Sequence, residues 1–256
     1  MVSLQNVSSG YNGQEIIKDA SISFEKGTIT TIIGKNGSGK TTLLRTASGL
    51  LKALSGKVLL NGRNIKEHSS NEIARQISFL PQTRITPEIS VYNLVMHGRF
   101  PYMGFTRISQ EKDKKAVEDA LAKMGLAEYR DRNIQTLSGG ERQKAYLAMV
   151  LAQDTDIIFL DEPTTYLDIN HQFEILNIIL QLKKMGKTLV MVLHDLNSAL
   201  TYSDRICLMD KGRIILYASS EKIVESRELE RVFHVNCCPV AMDGESTQYV
   251  FTLKKD

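Results

Sequence analysis

Three short stretches of this 256-residue chain have residue types and spacing suited to handling phosphate. The first is Gly34-Lys35-Asn36-Gly37-Ser38-Gly39-Lys40-Thr41, which spells G-x-x-x-x-G-K-[ST]. Its glycines let the backbone curl until several N–H groups point at phosphate oxygens. The helix that follows turns its positive end toward the same anion. Lys40 can reach β- and γ-phosphates, and the Thr41 hydroxyl is a ligand for Mg²⁺. A Gly-rich turn with no ligand is the plain alternative. Against it, the β-branched run Thr28 to Ile33 precedes the loop and Lys40 to Leu51 shows helical spacing after it.

The second stretch, Ile157-Ile158-Phe159-Leu160-Asp161-Glu162-Pro163, puts two carboxylates at the end of an apolar run. Ligands of open parallel sheets bind outside the carboxyl ends of such strands. Asp161 is placed to hold Mg²⁺, and Glu162 to polarise an attacking water as a general base. A single acid would serve if the only task were to cap the next helix, and Pro163 suits a sharp exit from the strand. A second apolar run, Leu189 to Leu193, ends in His194 and Asp195. If the two strands run parallel, His194 reaches the same edge, while Asp195 reads as an N-cap.

The third stretch is Leu137-Ser138-Gly139-Gly140-Glu141. Ser138 with Glu141 three residues later is a capping box. A cap does not need two glycines in the first turn, where each weakens a helix by up to ~1 kcal/mol. Glycines there let a phosphate approach the helix start, so the chain carries two separate phosphate-ready helix starts.

The elements that must position these residues follow from the pattern. Short strands around Gly10-Tyr11-Asn12-Gly13 make an antiparallel beginning up to Phe24. Val58 to Leu60 and Ile77 to Leu80 are further strands, and the fully apolar runs Asp156 to Leu160 and Thr188 to Leu193 suit parallel strands buried on both faces. Between about 90 and 153 the chain turns helical. There Ser109 to Met124 is a charged amphipathic helix with Ala116, Ala120 and Met124 spaced by four. Asp210-Lys211-Gly212 marks a hairpin turn, and Glu221 to Phe233 looks helical.

Composition removes several classes. A net charge of +3, with 42% hydrophobic and 24% charged residues, is a globular profile with no case for nucleic acid. Three cysteines make no disulfide framework and point to a reducing cytosol; Cys207 is expected in the core, and Cys237-Cys238 lack a second pair for zinc. No secretory signal and no apolar run near the ~20 residues of a membrane helix is read. Any membrane role is expected to come through a partner.

With Leu137 to Glu141 beside the first two stretches, the chain resembles the ABC (ATP-binding cassette) ATPases along nearly its whole length. The resemblance implies an α/β fold: a P-loop NTPase (RecA-like) core with an N-terminal antiparallel β-subdomain and an inserted α-helical subdomain. The chain is then one ABC ATPase domain, with about 1–85 and 154–256 as nucleotide-binding core and about 86–153 as the helical signature subdomain. It implies that two cassettes associate head to tail, each ATP lying between one subunit's P-loop and the other's signature segment. By the same resemblance Ser138, Gly139 and Gly140 bind the γ-phosphate across the dimer, and Tyr11 stacks on adenine. Gly34, Asn36, Gly37, Ser38, Gly39, Lys40, Thr41 and Thr42 form the phosphate loop. Gln82 touches Mg²⁺ or the attacking water, Asp168 lines the dimer seam, and His194 contacts the γ-phosphate. Mg²⁺ is implied at Thr41, Gln82 and Asp161. Two departures from the commoner forms are Glu141, where Gln is frequent, and Tyr166, where a small residue is frequent. Neither stands at the reacting atoms in the family picture.

Within the family, two-cassette translation factors and coiled-coil repair ATPases are set aside, because the chain has one cassette and no sustained heptads between Lys40 and Leu137. Too little chain follows His194 for the extra β-domain of many sugar-importer ATPases. Val91 to Tyr102 and Pro163 to Gln172 are similar to the importers of ferric siderophore, haem and cobalamin, most of all the siderophore members. His97 and His171 are read as taking no part in chemistry. The expected assembly is a homodimer beneath two permease subunits on the cytoplasmic face of the membrane, served indirectly by a substrate-binding protein. The alternatives are a haem or cobalamin importer ATPase and a soluble regulatory ATPase without a permease.

Overall fold

Alternating apolar residues form β1 (Val2–Tyr11) and β2 (Gln14–Phe24), an antiparallel pair. They are joined at Asn12-Gly13, whose φ values of 51° and 78° are the left-handed pair a two-residue hairpin needs. The computed structural model describes residues 1–82, 86–104, 108–241 and 247–254. These fall into two compact units, Met1–Glu67 with Leu180–Asp256, and His68–Ile179.

In the first unit β3 (Ile29–Gly34) is buried at every residue, as its unbroken apolar and β-branched run requires, and leads through the Gly-rich loop into α1 (Lys40–Ala47). The helix stops short of the expected Leu51. Gly49 takes a φ of 81° and its N–H turns back to the Thr46 carbonyl, a left-handed stop after the last turn. β4 (Ser55–Leu60) pairs antiparallel with β1, and β5 (Arg63–Asn64) completes an antiparallel four-stranded sheet, as the N-terminal subdomain demands.

The second unit begins with α2 (Ser70–Ala74) and β6 (Ile77–Leu80). Three helices follow, α3 (Val91–His97), α4 (Glu111–Lys123) and α5 (Gly139–Ala152), each packed against the other two. The expected insertion, 86–153, lies inside this unit. α4 starts later than Ser109 because Gln110 and Asp113 close a capping box. It buries Val117, Ala120 and Leu121. Arg99 and Asp113 form a buried ion pair at 3.1 Å, and Arg99 also donates to the Ala152 carbonyl at 2.7 Å, which ties the ends of α3, α4 and α5 together. Burial by itself raises the Asp113 carboxyl, but the Gln110 amide and the Arg99 guanidinium outweigh it and hold it below the usual range. β7 (Ile157–Asp161) pairs parallel with β6, and α6 (Ile169–Lys184) follows.

The chain then returns to the first unit. β8 (Thr188–Val192) and β9 (Arg205–Asp210) flank β3, both parallel to it, with α7 (Leu196–Tyr202) between them in sequence. β10 (Arg213–Ala218) folds back on β9 through Lys211-Gly212. The expected helix over Glu221 to Phe233 is two helices, α8 (Ser220–Glu225) and α9 (Glu228–Phe233), because Arg227 sits at a φ of 56° and no helix continues through a left-handed residue. β11 (Val235–Val240) and β12 (Gln248–Leu253) form a separate antiparallel ribbon. No helix among the described residues is long and apolar enough to cross a membrane.

Cys207 is fully buried in β9, as expected, and burial pushes its thiol up to about 12. Cys237 and Cys238 are neighbours on a strand and so face opposite ways: Cys237 is buried, Cys238 exposed. Burial, with smaller contributions from Cys238 and Glu230, pushes the Cys237 thiol up to about 11. The thiolate is the nucleophile, so a short iodoacetamide treatment of the native chain at mildly alkaline pH is expected to label Cys238 alone. Comparable labelling of Cys207 without denaturant, read by peptide mass, would contradict this.

Candidate functional site

In the first unit, the parallel register Ile32↔Val192 brings the ends of β3 and β8 to one edge of the sheet. Gly34 and His194 leave from that edge, and the histidine is exposed. The loop from Gly34 is tethered from outside. Gly212 donates to the Ser38 carbonyl at 3.1 Å and Lys18 donates to the Gly212 carbonyl at 2.9 Å. Gly39 N-caps α1 at a φ of 98°, a left-handed conformation that favours glycine, while a Cβ there would meet the tip of the Ile17 side chain at 2.6 Å.

Lys40 is buried and folds back over the loop, donating to the Gly34 carbonyl at 2.8 Å and the Lys35 carbonyl at 3.1 Å. The Ser38 hydroxyl is buried with no hydrogen-bond partner among the described residues. A buried hydroxyl without a partner is costly, and an oxyanion's oxygen is the acceptor it lacks. Asn36 and Gly37 are exposed on the loop, Thr41 is half-buried in the first turn of α1, and Thr42 is buried behind it. Tyr11 ends β1 at the hairpin and is 39% exposed. Asp195 caps α7, accepting from the Ser198 amide at 2.7 Å, as its position before the helix implied.

The second unit gathers the other residues. The register Leu80↔Leu160 carries Gln82 and the acids to one edge of the β6–β7 pair. Asp161 is fully buried at the strand end. Glu162 follows at a φ of 53°, an unusual conformation for a residue with a Cβ and one that clusters at functional sites. Its Oε2 accepts from Gln82 Nε2 at 2.6 Å and from the Thr165 hydroxyl at 3.0 Å.

Ser138 caps α5 as its spacing implied. Its backbone N–H and its hydroxyl both donate to Glu141 Oε2 at 2.8 Å, and its hydroxyl accepts from the Glu141 amide at 3.3 Å. The Ser138 amide, then its hydroxyl, then the Tyr129 hydroxyl hold the Glu141 carboxyl below its usual range. Ser138 and Gly139 are exposed, and no heavy atom lies within 4 Å of where a Gly139 Cβ would sit. Gln143 of α5 donates to the Pro163 carbonyl, tying this helix to the turn after β7. A cavity of about 210 Å³ runs from Gln82, Glu162 and Thr165 to Gly139 and Gln143. Asp168 is exposed, and the His171 amide and then the His171 ring lower its carboxyl.

Two contributors escape a reading by motif. Thr165 holds the general-base candidate, and its only trace in the sequence is a hydroxyl three residues after an acid. Gln143 shows no trace at all, because its partner is a backbone carbonyl twenty positions away.

Comparison with known proteins gives consistent matches. A family profile described as ABC transporter matches residues 17–165. The iron(3+)-hydroxamate import ATP-binding protein FhuC of Bacillus subtilis is 42% identical over 92% of this chain and 88% of its own length. The petrobactin import ATP-binding protein FpuD of Bacillus anthracis is 44% identical over 89% and 84%. The ferric enterobactin transport ATP-binding protein FepC of Escherichia coli is 41% identical over 91% and 87%. Among solved structures, an inward-facing metal-chelate type transporter superposes with a TM-score of 0.85 at 25% identity, over 99% of this chain and 98% of that one. A dimeric cassette in a post-hydrolysis state with ADP and Pi superposes at 0.74 and 27% identity, over 86% and 99%.

Proposed function

Since the chain belongs to the ABC transporter ATP-binding family and is an ATPase by that membership, we propose that it is the motor subunit of a ferric siderophore importer. The observation that carries the motor reading is the pair of phosphate-ready helix starts. One is α1 behind its tethered glycine loop, and the other is α5 behind the Ser138 cap, sharing a cavity with Glu162. One ATP then uses α1 of one copy and α5 of another, so the working form is a homodimer. Two permease subunits bind it at the cytoplasmic face of the membrane, and a substrate-binding protein delivers the cargo to them.

In this reading the loop from Gly34 to Thr42 binds the triphosphate through backbone N–H groups, the Ser38 hydroxyl and the Lys40 ammonium. Tyr11 stacks on the adenine, a contact worth about 1–3 kcal/mol where measured for bases. Glu162 takes the proton of the attacking water, and Gln82 and Thr165 set the direction of its carboxylate. His194 reaches the γ-phosphate from the end of β8, and Ser138, Gly139, Gly140 and Asp168 close the site from the partner copy. Thr41, Asp161 and Gln82 are the residues that would hold Mg²⁺. Their hydroxyl, carboxylate and amide oxygens are the hard donors that ion takes, with phosphates supplying the rest. When bound, the ion neutralises charge on the phosphate oxygens. Residues 86–153 are the signature subdomain, and Gln82 with the segment after it passes motion to the permease.

Cargo is assigned from relatives whose own names specify hydroxamate, petrobactin and enterobactin import. The test deletes the protein from its host and measures uptake of iron-loaded siderophores, haem and cobalamin in parallel. Loss of siderophore uptake alone is expected. Loss of haem or cobalamin uptake with siderophore uptake intact would move the assignment to a sibling importer.

A further inference from the structure

The two glycines of the α5 start are glycines for different reasons. Gly139 faces open space, as a residue that admits a phosphate should. Gly140 is buried, and a Cβ added to it would lie 2.0 Å from His171 Cδ2, a direct clash with the ring. The missing side chain at 140 is therefore filled from within the same unit. His171 is held there by its other edge: ring Nδ1 lies 2.8 and 2.9 Å from the two Asp168 carboxylate oxygens, and the His171 amide donates to Asp168 Oδ1 at 2.9 Å. One side chain thus touches the first turn of α5 and grips the acid ahead of α6.

We infer that His171 is a positioning residue: it braces Asp168 against Gly140, so that the acidic loop and the α5 start present themselves to a partner copy as one rigid face. The inference rests on the proposed reading that both segments meet the partner across ATP. Geometry favours a brace over chemistry. The ring is fixed at two points, its Nδ1 on the carboxylate and its Cδ2 side against the glycine, as a strut between two segments would be. Asp168 is exposed, and without the ring its carboxylate keeps the His171 amide but loses the contact on its second oxygen, so fixing it fully on association would cost affinity.

The test uses the full chain carrying Glu162→Gln, in which ATP-driven dimers accumulate, with dimer strength read by sedimentation and nucleotide affinity by calorimetry. His171→Ala and His171→Phe are expected to weaken the ATP-dependent dimer about tenfold, the scale of one charge-assisted hydrogen bond, with nucleotide affinity of the monomer unchanged. Phe keeps the ring over Gly140 but loses the bond to Asp168. His171→Asn, whose amide can donate from nearly the Nδ1 position, is expected to recover most of the loss. In the otherwise unaltered chain, Ala and Phe should raise KM for ATP more than they lower kcat. Dimers of wild-type strength in both Ala and Phe variants would overturn the brace. So would an Asn variant as weak as Ala. Ser138→Arg serves as the control for the underlying reading. If it too leaves the dimer intact, the shared seam is wrong and the brace falls with it; if it abolishes the dimer while the His171 variants do not, only the brace is wrong.

Discussion

Replacing Glu162 with Gln is expected to lower steady-state ATP hydrolysis by about 10²–10⁴-fold while ATP stays bound, because the amide keeps the shape and removes the base. The structure makes the substitution close to isosteric. The side chain is buried, with Gln82 at 2.6 Å and Thr165 at 3.0 Å on one oxygen, and an amide oxygen can accept from both. Folding should therefore be little affected, and the loss should appear in kcat. With hydrolysis blocked, the ATP-bound dimer should accumulate, visible as a doubled mass by light scattering. A variant that turns over within a few-fold of wild type would remove Glu162 from the role of base and leave Asp161 or His194 to fill it.

Lys40→Ala is expected to weaken ATP binding by about 10²–10³-fold. Each charge-assisted contact to a phosphate contributes about 1.5–3 kcal/mol, and two such contacts near the lower end, one each to the β- and γ-phosphates, give about 3–4 kcal/mol. The ammonium sits on the Gly34 and Lys35 carbonyls, so it is already inside the loop and needs little movement to reach a phosphate. The clean readout is thermal. ATP raises the melting temperature of wild type in proportion to ln(1 + [L]/Kd), and that rise should vanish in the variant while the melting temperature without nucleotide moves little. Equal affinity by calorimetry in both proteins would sink the assignment.

Much of this was legible because it is local. A strand, a glycine loop and a helix in succession, the Ser138–Glu141 box and the Asn12-Gly13 hairpin each depend on a few consecutive residues, and the structure repeats them. Apolar spacing alone carries α1 on to Leu51, but Gly49 takes a left-handed φ and ends the helix. The break between α8 and α9 has a weaker marker: Arg227 carries no turn chemistry, and only the Ser226 hydroxyl, which accepts from the Glu228 amide at 3.3 Å, signals the turn where Arg227 takes a φ of 56°. The His171 contact with Gly140 was beyond reach for a different reason. Thirty-one positions separate the two, and nothing in a lone histidine says which glycine it covers.

The buried Arg99–Asp113 pair has a historical consequence. Removing either partner alone strands a charge in the interior at a cost of about 3–5 kcal/mol, a large part of what holds such a domain folded. Replacing both with well-packed apolar residues can cost almost nothing. Between those two endpoints every single-step intermediate is crippled, so a lineage carrying this pair is confined to it unless both codons change nearly together. Arg99 lies in the segment after Gln82 that resembles the siderophore importers, so a relative that lacks the arginine is expected to lack the aspartate at 113 as well.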